Sequence, residues 1–219
     1  MDLSAPAIRE RIAAVSEQIA AATSRPIDLV VVTKTHPQEV VLAVAEAGAR
    51  FVGENYAQEV REKASALEAL RASGVSVQFI GQLQTNKVRM ITGLVDCVAS
   101  VDRASLVDEI AKRMPSTRIH LQVNATGELS KGGCLPDALP ELITRARDQG
   151  LHVEGLMAVG PTSARDDEIR EAFRCVDELA SEHDLQIRNY GMSGDLNIAI
   201  EQGSTMVRLG SAILGNRNK

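Results

Sequence analysis

Tryptophan is absent from this 219-residue chain, and two tyrosines and three phenylalanines are its only aromatic residues. Rings so few and scattered exclude a base-stacking platform for single-stranded nucleic acid, and they oblige any core to be built from Val, Ile, Leu and Ala. Positive charge is also short: 24 Lys and Arg stand against 29 Asp and Glu, a net charge of -5, so no broad cationic field attracts a phosphate backbone. Nucleic acid is not an expected partner. No apolar run approaches the roughly 18 residues of a membrane span, and the opening MDLSAPAIRERI carries charge where a signal peptide would be apolar. The chain reads as cytoplasmic, without a membrane partner. Cysteine is limited to Cys97, Cys134 and Cys175, an odd and widely spaced set that suits neither a disulfide framework nor a zinc site. Cys134, in a Gly-rich loop, reads as a bystander thiol in a reducing compartment. His36, His120, His152 and His183 show no ligand spacing, so no metal is expected.

What the sequence does have is alternation. Residues 4–22 repeat Ile8, Ile12, Val15 and Ile19 at helical spacing behind Ser4 and Pro6, an amphipathic N-terminal helix. IDLVVVTK follows, a β-branched run of the kind a strand buried on both faces requires. Seven more candidate strands come after it: Arg50–Gly53, Val75–Ile80, Leu94–Ala99, Arg118–Val123, His152–Val159, Gln186–Tyr190 and Met206–Leu209. Helical stretches separate them, at Pro37–Ala47, Asn55–Leu70, Thr85–Ile91, Arg103–Arg113, Pro136–Gln149, Asp166–Glu182 and Gly194–Glu201. Eight strand–helix units are the arithmetic of a (βα)8 TIM barrel, an α/β fold, here with an added N-terminal helix. No linker or low-complexity tract interrupts them, so residues 1–219 are expected to form one domain. An open doubly wound sheet would usually carry a glycine-rich G-x-G-x-x-G turn after its first strand, and VTKTHP is nothing like one.

In a barrel, chemistry sits where the strands end at the carboxyl face. Lys34 lies there after the first strand, on the same face as Val30 and Val32 by strand alternation. Desolvation at an apolar rim disfavours ammonium and frees an amine to attack a carbonyl, which is how Schiff-base lysines arise. A solvated loop lysine is the other reading. The loops after strands seven and eight are the habitual phosphate site of the fold, and here they read YGMSGDLNIAI and VRLGSAILGNR. Gly191, Gly194 and Gly210 permit close backbone approach, Ser193 and Ser211 offer hydroxyls, and Arg208 offers fixed charge. The serines also read as plain helix caps and Arg208 as a solvated charge. Asn55 with Gln58 fits a helix capping box. GQLQTNK and NATGELSKGG read as polar loops, the second long and mobile-looking.

Taken together, VVTKTHP, RFVGENYAQEV, FIGQLQTNK, ASVDR, LQVNATGELSKGG, VEGLMAVG and GMSGDLNIAIEQGSTMVRLGSAILGNR resemble, in order and spacing, the pyridoxal phosphate homeostasis protein family, the YggS/PROSC family. The resemblance runs from Leu29 to Arg217. It implies an alanine racemase N-terminal-domain-like barrel with pyridoxal 5′-phosphate (PLP) held as a Schiff base on Lys34. It also implies phosphate contacts from Ser193, Arg208, Gly210 and Ser211, with Asn55 near the cofactor ring. The position before FIG is commonly His in that family and is Gln78 here, so a role carried by that His does not transfer.

Three functions fit some of these residues: a PLP-binding homeostasis protein, a PLP-dependent amino-acid racemase, and a cofactor-free Schiff-base aldolase. Racemases of this fold carry a further β-domain that supplies a second base, and 219 residues are expected to be used by the barrel alone. Tyr56 and Tyr190 are the only tyrosines available as substitutes near PLP. The aldolase reading leaves most of the seven motifs without a role. The expected function is therefore binding and delivery of PLP without dedicated catalysis, with apo PLP-dependent enzymes as recipients and a monomer as the expected state.

Overall fold

A computed structural model describes residues 1–128, 130–163 and 165–215. Eight parallel strands close into a barrel in simple sequence order: β1 Asp28–Val32, β2 Phe51–Glu54, β3 Ser76–Phe79, β4 Cys97–Val101, β5 Arg118–Gln122, β6 His152–Met157, β7 Ile187–Asn189 and β8 Met206–Leu209. The first and last strands pair, with Val30 opposite Arg208. All eight expected strands are present; their ends differ by up to three residues, because ladder bonds stop where the rim loops turn away. The helices are α1 Ala5–Ala22, α2 Gln38–Glu46, α3 Ala57–Glu62, α4 Ala64–Ala72, α5 Val88–Ile91, α6 Ala104–Arg113, α7 Leu139–Asp148, α8 Asp166–Glu182, α9 Leu196–Glu201 and α10 Ser211–Leu214. Single 3₁₀ turns, Thr85–Lys87 and Pro136–Ala138, lead into α5 and α7.

Two layers of side chains follow from strand alternation. Val31, Val52, Val77, Val98, Ile119, Leu156 and Val207 belong to the aliphatic core shared with the helices. That layer matches the expectation of a Val, Ile, Leu and Ala core. The lumen does not, since it carries buried Gln78, His120, Asn189 and Arg208. His120, Asn189 and Arg208 bond to one another and to carbonyls, which is what allows them to be buried: Arg208 Nη2 donates to Ala158 O at 2.8 Å and Nη1 to Asn189 O at 2.6 Å.

One expected helix is two. The stretch Asn55–Leu70 breaks at Lys63, whose φ of −95° and ψ of 13° separate α3 from α4. The lysine side chain turns inward at the break and is buried. No described helix is long and apolar enough to cross a membrane.

Candidate functional site

At the carboxyl end of the barrel, a cavity of about 550 Å³ is lined by Lys34, Asn55, Ser193, Arg208, Gly210 and Ser211, with Val32 and Met157 among its apolar walls. These six residues come from four separate segments of chain, and the barrel brings them to one place. Lys34 stands just past β1, half-buried. The strand pairing continues one residue beyond β1, since Thr33 donates its N–H to Gly53 O at 3.0 Å, so the lysine leaves from anchored backbone.

Asn55 follows β2 but forms no capping box. Tyr56 occupies the cap position of α3 and makes no side-chain cap bond, and Gln58 Nε2 donates instead to Glu62 Oε1 at 3.1 Å. The Asn55 Oδ1 is buried with no hydrogen-bond partner among the described residues. An orphaned acceptor of this kind at a cavity wall calls for a donor from outside the protein.

The opposite wall is the turn between β7 and α9. Gly191 has φ +106°, and a Cβ there would stand 2.6 Å from that of Ala199, so this sharp exit requires glycine. Asp195 Oδ1 accepts the N–H of Met192 at 2.5 Å, holding the turn that presents Ser193. Ser193 Oγ lies 3.3 Å from Ser211 Oγ, so the two hydroxyls meet across the gap between the seventh and eighth units. A Cβ on Gly194 would meet nothing within 4 Å, so there is open space in front of that backbone, while one on Gly210 would touch Val32 at 3.4 Å, an ordinary van der Waals contact.

Arg208 stands on β8 itself rather than in the loop after it. Its guanidinium is buried, donating to both oxygens of Asn189 and to Ala158 O, and burial lowers its pKa to about 10, with Asp195 opposing the shift. Among the described residues no carboxylate lines the cavity. Its floor is therefore cationic, which favours an anionic ligand.

The remaining candidates fall away from the cavity. Tyr190 stacks on Phe173 with ring centroids 4.6 Å apart, and its hydroxyl donates to Gln202 O at 2.6 Å, while Tyr56 lines a separate exposed groove. Neither tyrosine lines the rim cavity. Cys134 is buried, and burial pushes its thiol up to about 11, in keeping with an inert residue. At the start of the NATGELSKGG loop, Asn124 Oδ1 accepts from Gly127 N at 3.1 Å and from Thr126 Oγ1 at 3.0 Å. Among the described residues no His, Cys, Asp and Glu cluster suits a metal. Gln78 lies inside the barrel, its Nε2 3.4 Å from Met206 Sδ, and it lines a cavity at the opposite end with His120 and Glu154.

A buried ion cluster behind Lys34 was missed in the sequence. Lys63 Nζ donates to Glu54 Oε1 at 2.8 Å, to Glu59 Oε2 at 3.0 Å and to Thr33 O at 3.1 Å. Thr33 Oγ1 also donates to Glu54 Oε1, at 2.7 Å. Burial pushes the Glu54 carboxyl up, and the charge and hydrogen bond of Lys63 oppose it. Only the i, i+4 spacing of Glu59 and Lys63 hinted at a pair.

Comparison with known proteins agrees with this geometry. Residues 3–218 match the alanine racemase N-terminal domain. A pyridoxal phosphate homeostasis protein of Aquifex aeolicus is 36% identical over 225 residues, covering 95% of this chain and 97% of its own. Its counterpart in Escherichia coli K12 is 32% identical over 230 residues, covering 96% and 97%. PipY of Synechococcus elongatus, solved with PLP bound, superposes with a TM-score of 0.81 at 28% identity, over 95% of this chain and all of that one. Alanine racemase from Bacillus anthracis shares the fold, with a TM-score of 0.68 at 16% identity, and this chain spans 57% of it. The chain belongs to the pyridoxal phosphate homeostasis protein family, built on the alanine racemase N-terminal domain.

Proposed function

We propose that this protein binds PLP in the rim cavity, bonds it covalently through the Lys34 amine, and hands it on to apo-enzymes without a dedicated reaction of its own. The observation that carries the reading is the convergence of Lys34, Asn55, Ser193, Arg208, Gly210 and Ser211 on one cavity. The groups suit the ligand. Ser193 and Ser211 hydroxyls with the open backbone at Gly194 and the bare backbone of Gly210 beside them suit phosphate oxygens. Arg208 adds positive charge from the floor, where low dielectric makes it felt strongly, and the orphaned Asn55 Oδ1 suits a donor on the ring substituents.

Bound PLP would supply an electron sink for amino-acid chemistry, yet turnover also needs positioned acids and bases around it. The titratable side chains that line the cavity among the described residues are Lys34, His36 and Arg208. With no carboxylate or tyrosine there, and a cavity open at the rim, exchange is favoured over catalysis. The test is to load the protein with PLP, reduce it with borohydride and map the label. Fixation on the peptide containing Lys34, transfer of unreduced cofactor to an apo-enzyme, and no amino-acid turnover near 1 s⁻¹, roughly the low end of enzymatic rates, are the expected results. Label on Lys87 or Lys131, or rapid racemisation of alanine, would overturn the reading.

A further inference from the structure

The backbone on both sides of Lys34 is gripped by a single cluster of charges. On the side of β1, Lys63 Nζ donates to the Thr33 carbonyl at 3.1 Å and the Thr33 hydroxyl donates to Glu54 Oε1 at 2.7 Å. On the other side, the Thr35 N–H donates to Glu59 Oε2 at 2.5 Å. Lys63 joins the two carboxylates, at 2.8 and 3.0 Å. All three ammonium protons of Lys63 thus have acceptors. Its side chain is 7% exposed and that of Glu54 is fully buried, so neither is a solvated surface charge. Thr35 adds a further sign of constraint: its φ is +63°, a left-handed conformation that β-branched residues rarely adopt and that persists only where surrounding bonds impose it.

We propose that Glu54, Lys63 and Glu59 are positioning residues that fix the backbone of Thr33, Lys34 and Thr35 so that the Lys34 amine is presented to an aldehyde in the rim cavity. The inference rests on the assignment of Lys34 as the attachment site. In the bond-forming step the amine nitrogen joins the aldehyde carbon, and the carbonyl oxygen departs as water. The rate depends on where Nζ is held, and errors on the order of 1 Å can cost about 100-fold in such reactions. The cluster does not line the cavity, so its influence on a ligand passes through Lys34.

Glu59→Ala is the informative variant, because it removes the acceptor of Thr35 N–H and leaves the Glu54–Lys63 pair in place. Binding would be measured for PLP and for pyridoxine 5′-phosphate, which has the same ring and phosphate but a hydroxymethyl group in place of the aldehyde. The expected result is a covalent attachment rate, followed as the growth of borohydride-fixed label, that falls about 10-fold or more, with pyridoxine 5′-phosphate affinity unchanged. Glu59→Gln, whose amide oxygen still accepts from Thr35, should restore most of the rate. Equal losses for both ligands, or an attachment rate equal to that of the parent protein, would refute the positioning role. Lys34→Ala separates this from the larger reading: if that variant still takes label from PLP, the attachment site itself is misassigned. Lys63→Met is kept as a second variant, read only if circular dichroism matches the parent, and the same split between the two ligands is expected.

Discussion

Asn189 Nδ2 lies 3.1 Å from Nδ1 of His120 in the middle of the barrel. The amide oxygen of Asn189 already accepts from Arg208, so its nitrogen faces the histidine, and Nδ1 must be the acceptor. A ring that accepts at Nδ1 is neutral and carries its proton on Nε2. The charge at the cavity floor therefore fixes the tautomer of a histidine one residue deeper.

Burial, with the charges of Arg208 and Arg118, lowers the His120 pKa from 6.5 to about 3. The unfolded chain takes up this proton near pH 6.5 and the folded chain does not, so between those values the unfolded state binds more protons. Stability is thus unaffected by this group above pH 6.5 and falls as the pH drops below it. Between pH 6.5 and 5 the loss is about 2 kcal/mol. Urea denaturation of the parent and of His120→Gln at pH 7.5 and pH 5 checks this: the variant, though less stable at both, should lose less on acidification. Parallel losses would show that His120 is protonated in the folded state.

The phosphate role proposed for Ser193, Ser211 and Arg208 predicts a graded response. Replacing both Ser193 and Ser211 by Ala removes two hydrogen bonds to a charged phosphate at about 1.5 kcal/mol or more each, or about 100-fold or more in PLP affinity, with little change for unphosphorylated pyridoxal. Arg208→Gln removes a buried charge and should cost about one to two orders of magnitude for PLP. Pyridoxal, lacking the phosphate dianion, should lose less. Fluorescence titration with both ligands reads the difference, and an equal loss for both would move Arg208 from the phosphate to the ring.

A Cβ at Gly81 would stand 2.0 Å from the Asn55 carbonyl oxygen. Backbone cannot step aside as a flexible side chain can, so Gly81→Ala should destabilise by about 1–3 kcal/mol and displace Asn55 from the cavity wall. Gly74→Ala is the control. Its φ is +88° with nothing within 4 Å of the added methyl, so it should cost about 1 kcal/mol from the backbone alone and leave PLP affinity intact. Thermal melts and PLP titrations of the two variants separate these effects.

The strand pattern was legible because a parallel barrel buries both faces of each strand, and runs such as LVVV and the residues around Ile119 have few other uses. Lys34, Ser193, Gly210 and Ser211 were legible because each follows a strand at the end where this fold puts its sites. Arg208 was grouped with the loop VRLGSAILGNR although the expected strand Met206–Leu209, which is the observed β8, already contained it. The polar lumen was not legible at all: Gln78, His120 and Asn189 sit in apolar strands as single exceptions, and the bonds that join His120, Asn189 and Arg208 exist only once the barrel closes. Lys63 was hidden for a related reason. An Ala- and Glu-rich stretch reads as one uninterrupted helix, and only the carboxylate of Glu54, nine residues back on a strand, explains the break.

The first helix packs against the last. Arg11 Nε donates to the Ile213 carbonyl and Arg25 Nη2 to that of Ile200, both at 2.5 Å, and β1 has β8 as one of its two neighbours. On a ribosome adding about 5–20 residues per second, α1 and β1 wait on the order of ten seconds or more before those partners are made. Ile8, Val15 and Ile19 lack their final cover until α9 and α10 have been made, so the barrel cannot close before they are. The apolar stripe of this amphipathic helix is therefore bare for as long as the chain has no complete cavity to offer a cofactor.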